Sequence, residues 1–292
     1  MVDQFLNYLR YEKNRSELTI ERYGKSLRLF QTFFEKQCEG QTWETVDSDV
    51  IRAWMETLMD KGYKATAVCA DLAAIRSFFR FALARGFVGH DPAYCVQGPK
   101  KQKPLPQFVK EGDMDRLLDD EEWGGDYKSV RARTIIMLLY EAGLRRSELT
   151  GLDDQNVDLD ACQLKVTGKR NKQRIIPFGE ELREQLHKYI ALRDEQAVRI
   201  SEALFVNKRG MRISAGEVYL IVRNKLGEVT TLKKRSPHVL RHSFATALLN
   251  HDAGLESVRL LLGHESLETT EIYTHTTFDQ LKRVYEEAHP RG

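Results

Sequence analysis

The stretch PAYCVQGPKKQKPLP, Pro92–Pro106, divides this sequence into two parts of different character. It holds four of the chain's seven prolines, together with three lysines. Proline disfavours helix at the residue before it and lacks an amide donor, so the stretch is predicted to be extended and exposed. We interpret residues 98–107 as a basic linker between one domain over 1–97 and another over 108–292. A long surface loop inside a single domain is the alternative.

The composition of the 292 residues is that of a globular protein, with 41% hydrophobic and 30% charged residues. The formal net charge is only +2, so any surface that attracts nucleic acid has to be local. The cysteines form no CxxC pair, which predicts reduced, buried thiols in a cytoplasmic protein rather than a zinc site or disulfides. They are Cys38, Cys69, Cys95 and Cys162. The N-terminus does not have the pattern of a signal peptide, and no apolar run is long enough to span a membrane.

The first third of the chain is predicted to form about four helices. Segment 16–36 begins at Ser16 and carries apolar residues at three- and four-residue spacings. These residues are Leu18, Tyr23, Leu27, Phe30, Phe33 and Phe34. Asp47 or Ser48 is the predicted cap of the next helix, and a further helical pattern covers 65–86.

The second part of the chain is mixed. Helical patterns cover 109–120 and 131–144, whereas 162–166 and 173–178 alternate apolar and polar residues around a GKRN turn, which predicts a β-hairpin. Two helix starts are also predicted, one from a capping box of Ser214 with Glu217 and one from Ser236 followed by Pro237. The whole is therefore expected to be mainly α with a small β-sheet.

Four stretches could carry chemistry, and each has an ordinary structural interpretation when taken alone. GLRRSEL, 143–149, is typical of a salt-bridged surface. KVTGKRNKQR, 165–174, holds five cations and no acid, so it is either a solubilising turn or a contact for phosphates. ETTEIYTH, 268–275, carries Tyr273, and a tyrosine at helical spacing is more often packed in a core than catalytic.

The fourth stretch, HVLRH, 238–242, has two histidines at a spacing that resembles one kind of metal site. The zinc-protease pattern requires a glutamate after the first histidine, and Val239 stands there instead. The alternative pairing is His238 with Arg241, which project to the same side of a helix and suit a phosphate anion.

Taken in order, GLRRSEL, VTGKRNKQR, HVLRHSFAT and LLGHESLETTEIYTH resemble the tyrosine recombinase (phage-integrase-like) family, particularly its bacterial Xer-type members. The resemblance covers nearly the whole chain. It implies a four-helix, SAM-like core-binding domain at the N-terminus, followed by an α+β catalytic domain of the DNA breaking-rejoining type.

The resemblance also implies which residues act. The catalytic residues would be Arg145, Lys169, His238, Arg241, His264 and Tyr273, with Glu148 supporting the first arginine. DNA contacts would come from Lys100, Lys101 and Lys103 of the linker and from Arg170 and Lys172 of the hairpin turn.

The implied reaction is phosphoryl transfer without a metal, a nucleotide or any other cofactor. The Tyr273 oxygen would attack a DNA phosphodiester, displace a 5′-hydroxyl and leave a 3′-phosphotyrosyl link. The two arginines would bind the non-bridging oxygens, with His264 helping to hold the phosphate. Only about a thousandth of tyrosine is ionised near pH 7, so His238 would accept its proton and Lys169 would protonate the leaving alkoxide.

The implied partner is a double-stranded DNA recombination site, bound by a tetramer on two sites or by a hetero-tetramer with a second recombinase. The role would be chromosome-dimer resolution or integration and excision of a mobile element. The amphipathic segment 278–288 is expected to pack on its own domain or on a neighbouring subunit. The alternatives are a type IB topoisomerase, a DNA-binding regulator without catalysis and a metal-dependent nuclease.

Overall fold

The chain forms two compact units, Met1–Pro104 and Leu105–Gly292, each with its own hydrophobic core. The computed structural model describes residues 1–38, 40–101, 107–119, 123–168, 172–196, 198–263 and 275–291, with 275–279 described by their backbone alone.

The first unit is helical, as the sequence predicts. Its helices are α1 (Val2–Asn7), which continues into a π-helical turn (Tyr8–Glu12), α2 (Glu17–Gln37), α3 (Ser48–Asp60) and α4 (Ala65–Ala84). Aromatic rings such as Phe30, Trp54 and Phe78 fill the core. Leu18 was expected on the buried face of α2, but it is 79% exposed, and Ile20 of the same helical turn is buried instead.

Two further predictions for this unit have definite outcomes. The Asp47 carboxylate caps α3 by accepting from the amides of Asp49 and Val50, as predicted. The stretch that follows α4 was expected to be exposed throughout, and this is wrong for Ala93 and Val96, which are buried.

Arg76 of α4 explains how this proline-containing segment can be buried. Its guanidinium donates to the carbonyl oxygens of Ala93 and Val96, so backbone groups without a ladder partner are still satisfied. Gly98 lies so close to α4 that a Cβ there would come within 2.8 Å of the Cys69 sulfur.

The second unit combines helices with one antiparallel sheet in the order β1-β2-β3. The helices are α5 (Glu111–Leu118), α6 (Tyr127–Glu141), α7 (Arg146–Thr150), α8 (Glu180–Gln196), α9 (Ala215–Val229), α10 (Pro237–Asn250), α11 (Leu255–Leu262) and α12 (His275–Ala288). The strands are β1 (Val157–Asp158), β2 (Gln163–Thr167) and β3 (Gln173–Pro177). The β2–β3 hairpin has the predicted position, with Thr167 opposite Gln173 beside the turn.

Helix α6 is the centre of this unit and is buried along its last twelve residues. It ends at Glu141, so the chain that leaves it begins the GLRRSEL stretch from inside the core. α12 packs on its own unit, because Leu281 and Tyr285 share a buried cluster with Phe244 of α10.

The remaining predictions were partly right. The Ser214 hydroxyl accepts from the Glu217 amide, as expected of a cap. Ser236 precedes α10 and Pro237 is its first residue, but the Ser236 side chain makes no capping hydrogen bond. The four cysteines are free, yet none is buried, and Cys95 is exposed. Within the described ranges, none of the helices is long and apolar enough to cross a membrane.

Candidate active site

The site begins where the chain leaves α6. Gly143 has a φ of +57°, and a Cβ on it would lie 2.4 Å from the Phe244 ring, so only glycine fits this turn. Arg145 then becomes the N-cap of α7, and its backbone amide donates to Glu148 Oε2 at 2.8 Å. The Arg145 side chain is 32% exposed, which makes it the more accessible of the two predicted arginines.

Arg241 comes from α10, one turn after the helix begins, and its side chain is only 9% exposed. Its Nη1 donates to the carbonyl of Gly143 and its Nη2 to the carbonyl of Leu262. Arg145 Nη2 in turn donates to the carbonyl of Gly263 at 2.9 Å. Arg241 is therefore held by the stretch that carries Arg145, and Arg145 is held by the stretch that carries His264.

Glu148 lies at the centre of this arrangement and its side chain is 2% exposed. Its Oε1 accepts from Arg145 Nη1 at 2.7 Å and from Arg174 Nη1 at 2.8 Å, and Arg241 Nη1 lies 3.8 Å from Oε2. Burial opposes ionisation of this carboxyl, but the hydrogen bonds and charges of Arg174 and Arg145 outweigh it and lower the pKa of Glu148 to about 2. Glu148 is thus an ionised carboxylate that accepts hydrogen bonds from Arg145 and Arg174.

Three guanidinium groups around one carboxylate leave this cluster with a net charge of +2. Burial, followed by the charge of Arg145, lowers the pKa of Arg241 to about 9, so Arg241 is still a cation at neutral pH. A partly exposed, fixed cluster of this charge is suited to bind a phosphodiester and to stabilise the additional negative charge of its transition state.

His238 lies on the first turn of α10 and is exposed to solvent. Partial desolvation of the ring, followed by the positive charges of Arg146 and Lys234, lowers the pKa of His238. The imidazole is therefore neutral near pH 7, as a proton acceptor has to be.

Three of the lysines predicted to contact DNA are exposed to solvent. Lys172 is exposed beside the hairpin turn, where its carbonyl accepts from the Gly168 amide at 2.7 Å, and Lys100 and Lys101 are exposed in the first unit. The predicted residues Lys103, Lys169, Arg170, His264 and Tyr273 lie outside the described residues. Among the residues that are described, no three His, Cys, Asp or Glu side chains are grouped as ligands for a metal ion.

Sequence reasoning missed Arg174 and the acceptor carbonyls of Gly143 and Gly263. The burial of Arg174 could have been predicted, because the alternation of side chains along β3 places it on the same side as the buried Ile176. An arginine at an inward position requires buried partners. The two glycine carbonyls had no such signal, since each meets its arginine only after the chain has folded.

Comparison with known proteins gives two family matches. Residues 107–280 match the description "Phage integrase family", and residues 2–86 match "Phage integrase, N-terminal SAM-like domain". The chain belongs to the phage integrase family. The predicted SAM-like N-terminal domain and the resemblance to tyrosine recombinases are thereby confirmed.

Curated relatives specify the kind of enzyme. The chain is 37% identical over 293 residues to the tyrosine recombinase XerC of Psychromonas ingrahamii, covering 100% of this chain and 97% of the relative. It is 32% identical over 294 residues to the tyrosine recombinase XerD of Oceanobacillus iheyensis, covering 100% and 98%. This member of the family is a site-specific DNA recombinase of the tyrosine type.

A solved structure agrees in fold. The XerH site-specific recombinase, in a post-cleavage complex with its palindromic difH substrate, is similar with a TM-score of 0.73 at 21% identity, covering 97% of this chain and 83% of that one.

Proposed function

We propose that this recombinase cleaves DNA with the Tyr273 hydroxyl as nucleophile and with Arg145 and Arg241 as the ligands of the scissile phosphate. The observation that carries the proposal is the convergence of both arginines on Glu148, although Arg241 lies 98 residues after Gly143, at the start of the stretch that holds Arg145. Among the described residues, each guanidinium donates to two groups, which is fewer than its five N–H donors allow.

The other proposed roles follow from chain positions next to this cluster. His264 follows Gly263, whose carbonyl holds Arg145, and Lys169 follows Gly168, whose Cβ position would be 3.9 Å from Arg145 Nη1. We assign Lys169 to protonation of the leaving 5′-oxygen and His264 to the phosphate. His238, neutral near pH 7, takes the proton from Tyr273.

The proposed partner is a duplex recombination site, with Lys100, Lys101 and Lys103 contributing phosphate contacts. Support comes from the bound DNA of the XerH structure and of a λ integrase dimer on its core site. A tetramer on two sites, or a hetero-tetramer with a second recombinase, is the proposed working assembly. Relatives named XerC and XerD both match the chain over its full length.

The test is direct capture of the covalent intermediate. Duplexes that bind the full chain are first selected from a random library, and a suicide substrate with a nick beside each candidate cleavage position is then made. Wild-type protein in EDTA is expected to form an adduct that survives denaturant, with the peptide that contains Tyr273 linked to a 3′-phosphate. The Tyr273→Phe protein should bind the same duplex and form no adduct.

Other results would favour other activities. An adduct on a different residue, or one lost on chelation, would contradict the proposed chemistry. Selective binding without any adduct from the wild type would identify a catalytically silent DNA-binding regulator. Relaxation of supercoiled plasmid without sequence preference would instead indicate a type IB topoisomerase.

A further inference from the structure

Arg174 is a buried cation directly behind the cluster of Arg145, Arg241 and Glu148. It lies on β3 opposite Val166, and its side chain is only 6% exposed. No role in DNA contact follows from this position, because the guanidinium points into the protein rather than toward solvent.

The hydrogen bonds of Arg174 join three separate parts of the site. Its Nη1 and Nη2 donate to the two Glu148 oxygens at 2.8 and 3.0 Å, which is the paired geometry that arginine forms best with a carboxylate. Its Nε donates to the Leu261 carbonyl at 3.0 Å. The hairpin, α7 and the end of α11 are therefore linked through one side chain.

Arg174 also packs against Gly263. A Cβ on Gly263 would lie 3.1 Å from Arg174 Cδ and Nη1, so the arginine occupies the space that a larger residue would need. The carbonyl of the same glycine accepts from Arg145. Arg174 thus contacts two groups that hold Arg145, the Glu148 carboxylate and the turn at Gly263.

We infer that Arg174 is a positioning residue of the cleavage reaction, acting through Glu148 to fix Arg145 and Arg241, an inference that rests on the proposed function. Without Arg174, Glu148 retains, within the described ranges, its close bonds to Arg145 and a longer contact to Arg241. A buried carboxylate with fewer donors is easier to protonate, and a protonated Glu148 loses its attraction for both arginines. Lysine is a poor substitute because one ammonium group cannot make the paired bonds and the Nε bond together.

The first experiment measures single-turnover adduct formation on the nicked duplex with Arg174→Met and Arg174→Lys proteins at saturating concentration. Displacement of the arginines is expected to slow Arg174→Met on the order of 10²-fold, without weakening DNA binding. Arg174→Lys should be faster than Arg174→Met and slower than wild type. Arg193→Met is the matched control, since Arg193 is equally buried in the same unit but pairs with Asp154 and Asp194.

A pH profile separates positioning from a loss of stability. The ratio of the Arg174→Met rate to the wild-type rate should fall as the pH drops from 7 to 5, because Glu148 becomes protonated in the variant and not in the wild type, whereas protonation of His238 slows both proteins alike. Adding Glu148→Gln to Arg174→Met should abolish this dependence, and at pH 5, where Glu148 of Arg174→Met is already protonated, it should slow the reaction no further. A wild-type rate in Arg174→Met, independent and multiplicative effects of the two substitutions, or equal slowing by Arg193→Met would each overturn the inference.

A readout without DNA separates this inference from the proposed function. The acid-dependent part of the unfolding free energy that comes from Glu148 should shrink in Arg174→Met, whether or not the wild type forms an adduct. Absence of a wild-type adduct together with this shrinkage would refute the proposed cleavage and leave the link from Arg174 to Glu148 standing. Full wild-type pH dependence of stability in Arg174→Met would overturn the inference while leaving the proposed function intact.

Discussion

Replacing Glu148 by glutamine should destabilise the second unit by roughly 3 kcal/mol at pH 7. Buried as Glu148 is, its pKa falls from 4.5 to about 2, because the hydrogen bonds and charges of Arg174 and Arg145 outweigh the cost of burial. One pKa unit corresponds to ~1.4 kcal/mol, which gives that figure for the ionised over the neutral carboxyl. Glutamine has nearly the shape of the protonated acid, so the substitution should remove this contribution and leave the packing unchanged.

The sign of the pH dependence follows from the direction of that change. A pKa lower in the folded than in the unfolded protein means that the stabilisation is complete well above pH 4.5 and is lost as the pH falls toward 2. About 2 kcal/mol of it should disappear between pH 7 and pH 3. The difference in unfolding free energy between wild type and Glu148→Gln should therefore shrink from roughly 3 to roughly 1 kcal/mol over that range.

The assay is urea unfolding of the full chain, followed by far-ultraviolet circular dichroism at several pH values. Hydrogen exchange of peptides from α7 and α10 assigns the transition to the second unit. A difference between wild type and Glu148→Gln that is constant from pH 7 to pH 3 would refute the reasoning, because the network would then not depend on the ionisation of Glu148.

Glu141→Gln is the matched control and should behave in the opposite way. Glu141 is fully buried at the end of α6, and neither carboxyl oxygen has a hydrogen-bond partner in the described part of the chain. Burial, reinforced by the negative charge of Glu181, raises the pKa of Glu141 to about 8. Its contribution is present below pH 4.5 and is lost as the pH rises toward 8, so Glu141→Gln should gain on the order of 3 kcal/mol over wild type between pH 5 and pH 8. The same pH trend in both variants would contradict one of the two assignments, and the direction of that trend identifies which one.

Two further substitutions test the site from other directions. Gly143→Ala should destabilise by ~2 kcal/mol or more in urea unfolding, because its φ of +57° and the 2.4 Å approach of a Cβ to Phe244 both oppose a side chain. Gly112→Ala, in open space on α5, is the control and should be neutral or stabilising in the same assay. Arg146→Ala should raise the pKa of His238 by removing a positive neighbour. The acid limb of the adduct-formation rate should then move to higher pH, and an unmoved limb would argue against His238 as the proton acceptor.

The helices and the hairpin could be predicted because their signals are local. Asp47 caps α3 two and three residues away, and the β2–β3 register follows from alternation around one turn. One prediction from local signals was wrong, the exposure of the proline-containing stretch. Ala93 and Val96 are buried after a proline, because Arg76, far from them in sequence, satisfies their carbonyls. The expectation of exposure had considered only the proline itself.

The residues of the site could be named from their motifs, but their mutual support could not. The Gly143 carbonyl meets Arg241 across 98 residues and the Gly263 carbonyl meets Arg145 across 118. Contacts of this kind depend on how α6, α10 and α11 pack, and the periodicity of the sequence does not predict them. Arg174 is the partial exception, since an inward-facing arginine in a strand indicates a buried carboxylate without saying which one.

The hydrogen bonds that hold Arg145 and Arg241 also explain why so much charge is buried where stability alone would not favour it. Arg145, Arg174 and Arg241 repel one another, and Glu148 neutralises only one of the three. Burial, followed by the neighbouring guanidinium of Arg145, lowers the pKa of Arg241 to about 9, so the charged form of Arg241 is less stable here than in water. A phosphodiester in contact with Arg145 and Arg241 would relieve that repulsion, and the relief would be largest when charge on the phosphate is largest. Because carbonyls of the protein already hold both guanidinium groups, these groups need little reorganisation when the transition state forms. Donors that are fixed in advance in this way stabilise a transition state more than a ground state.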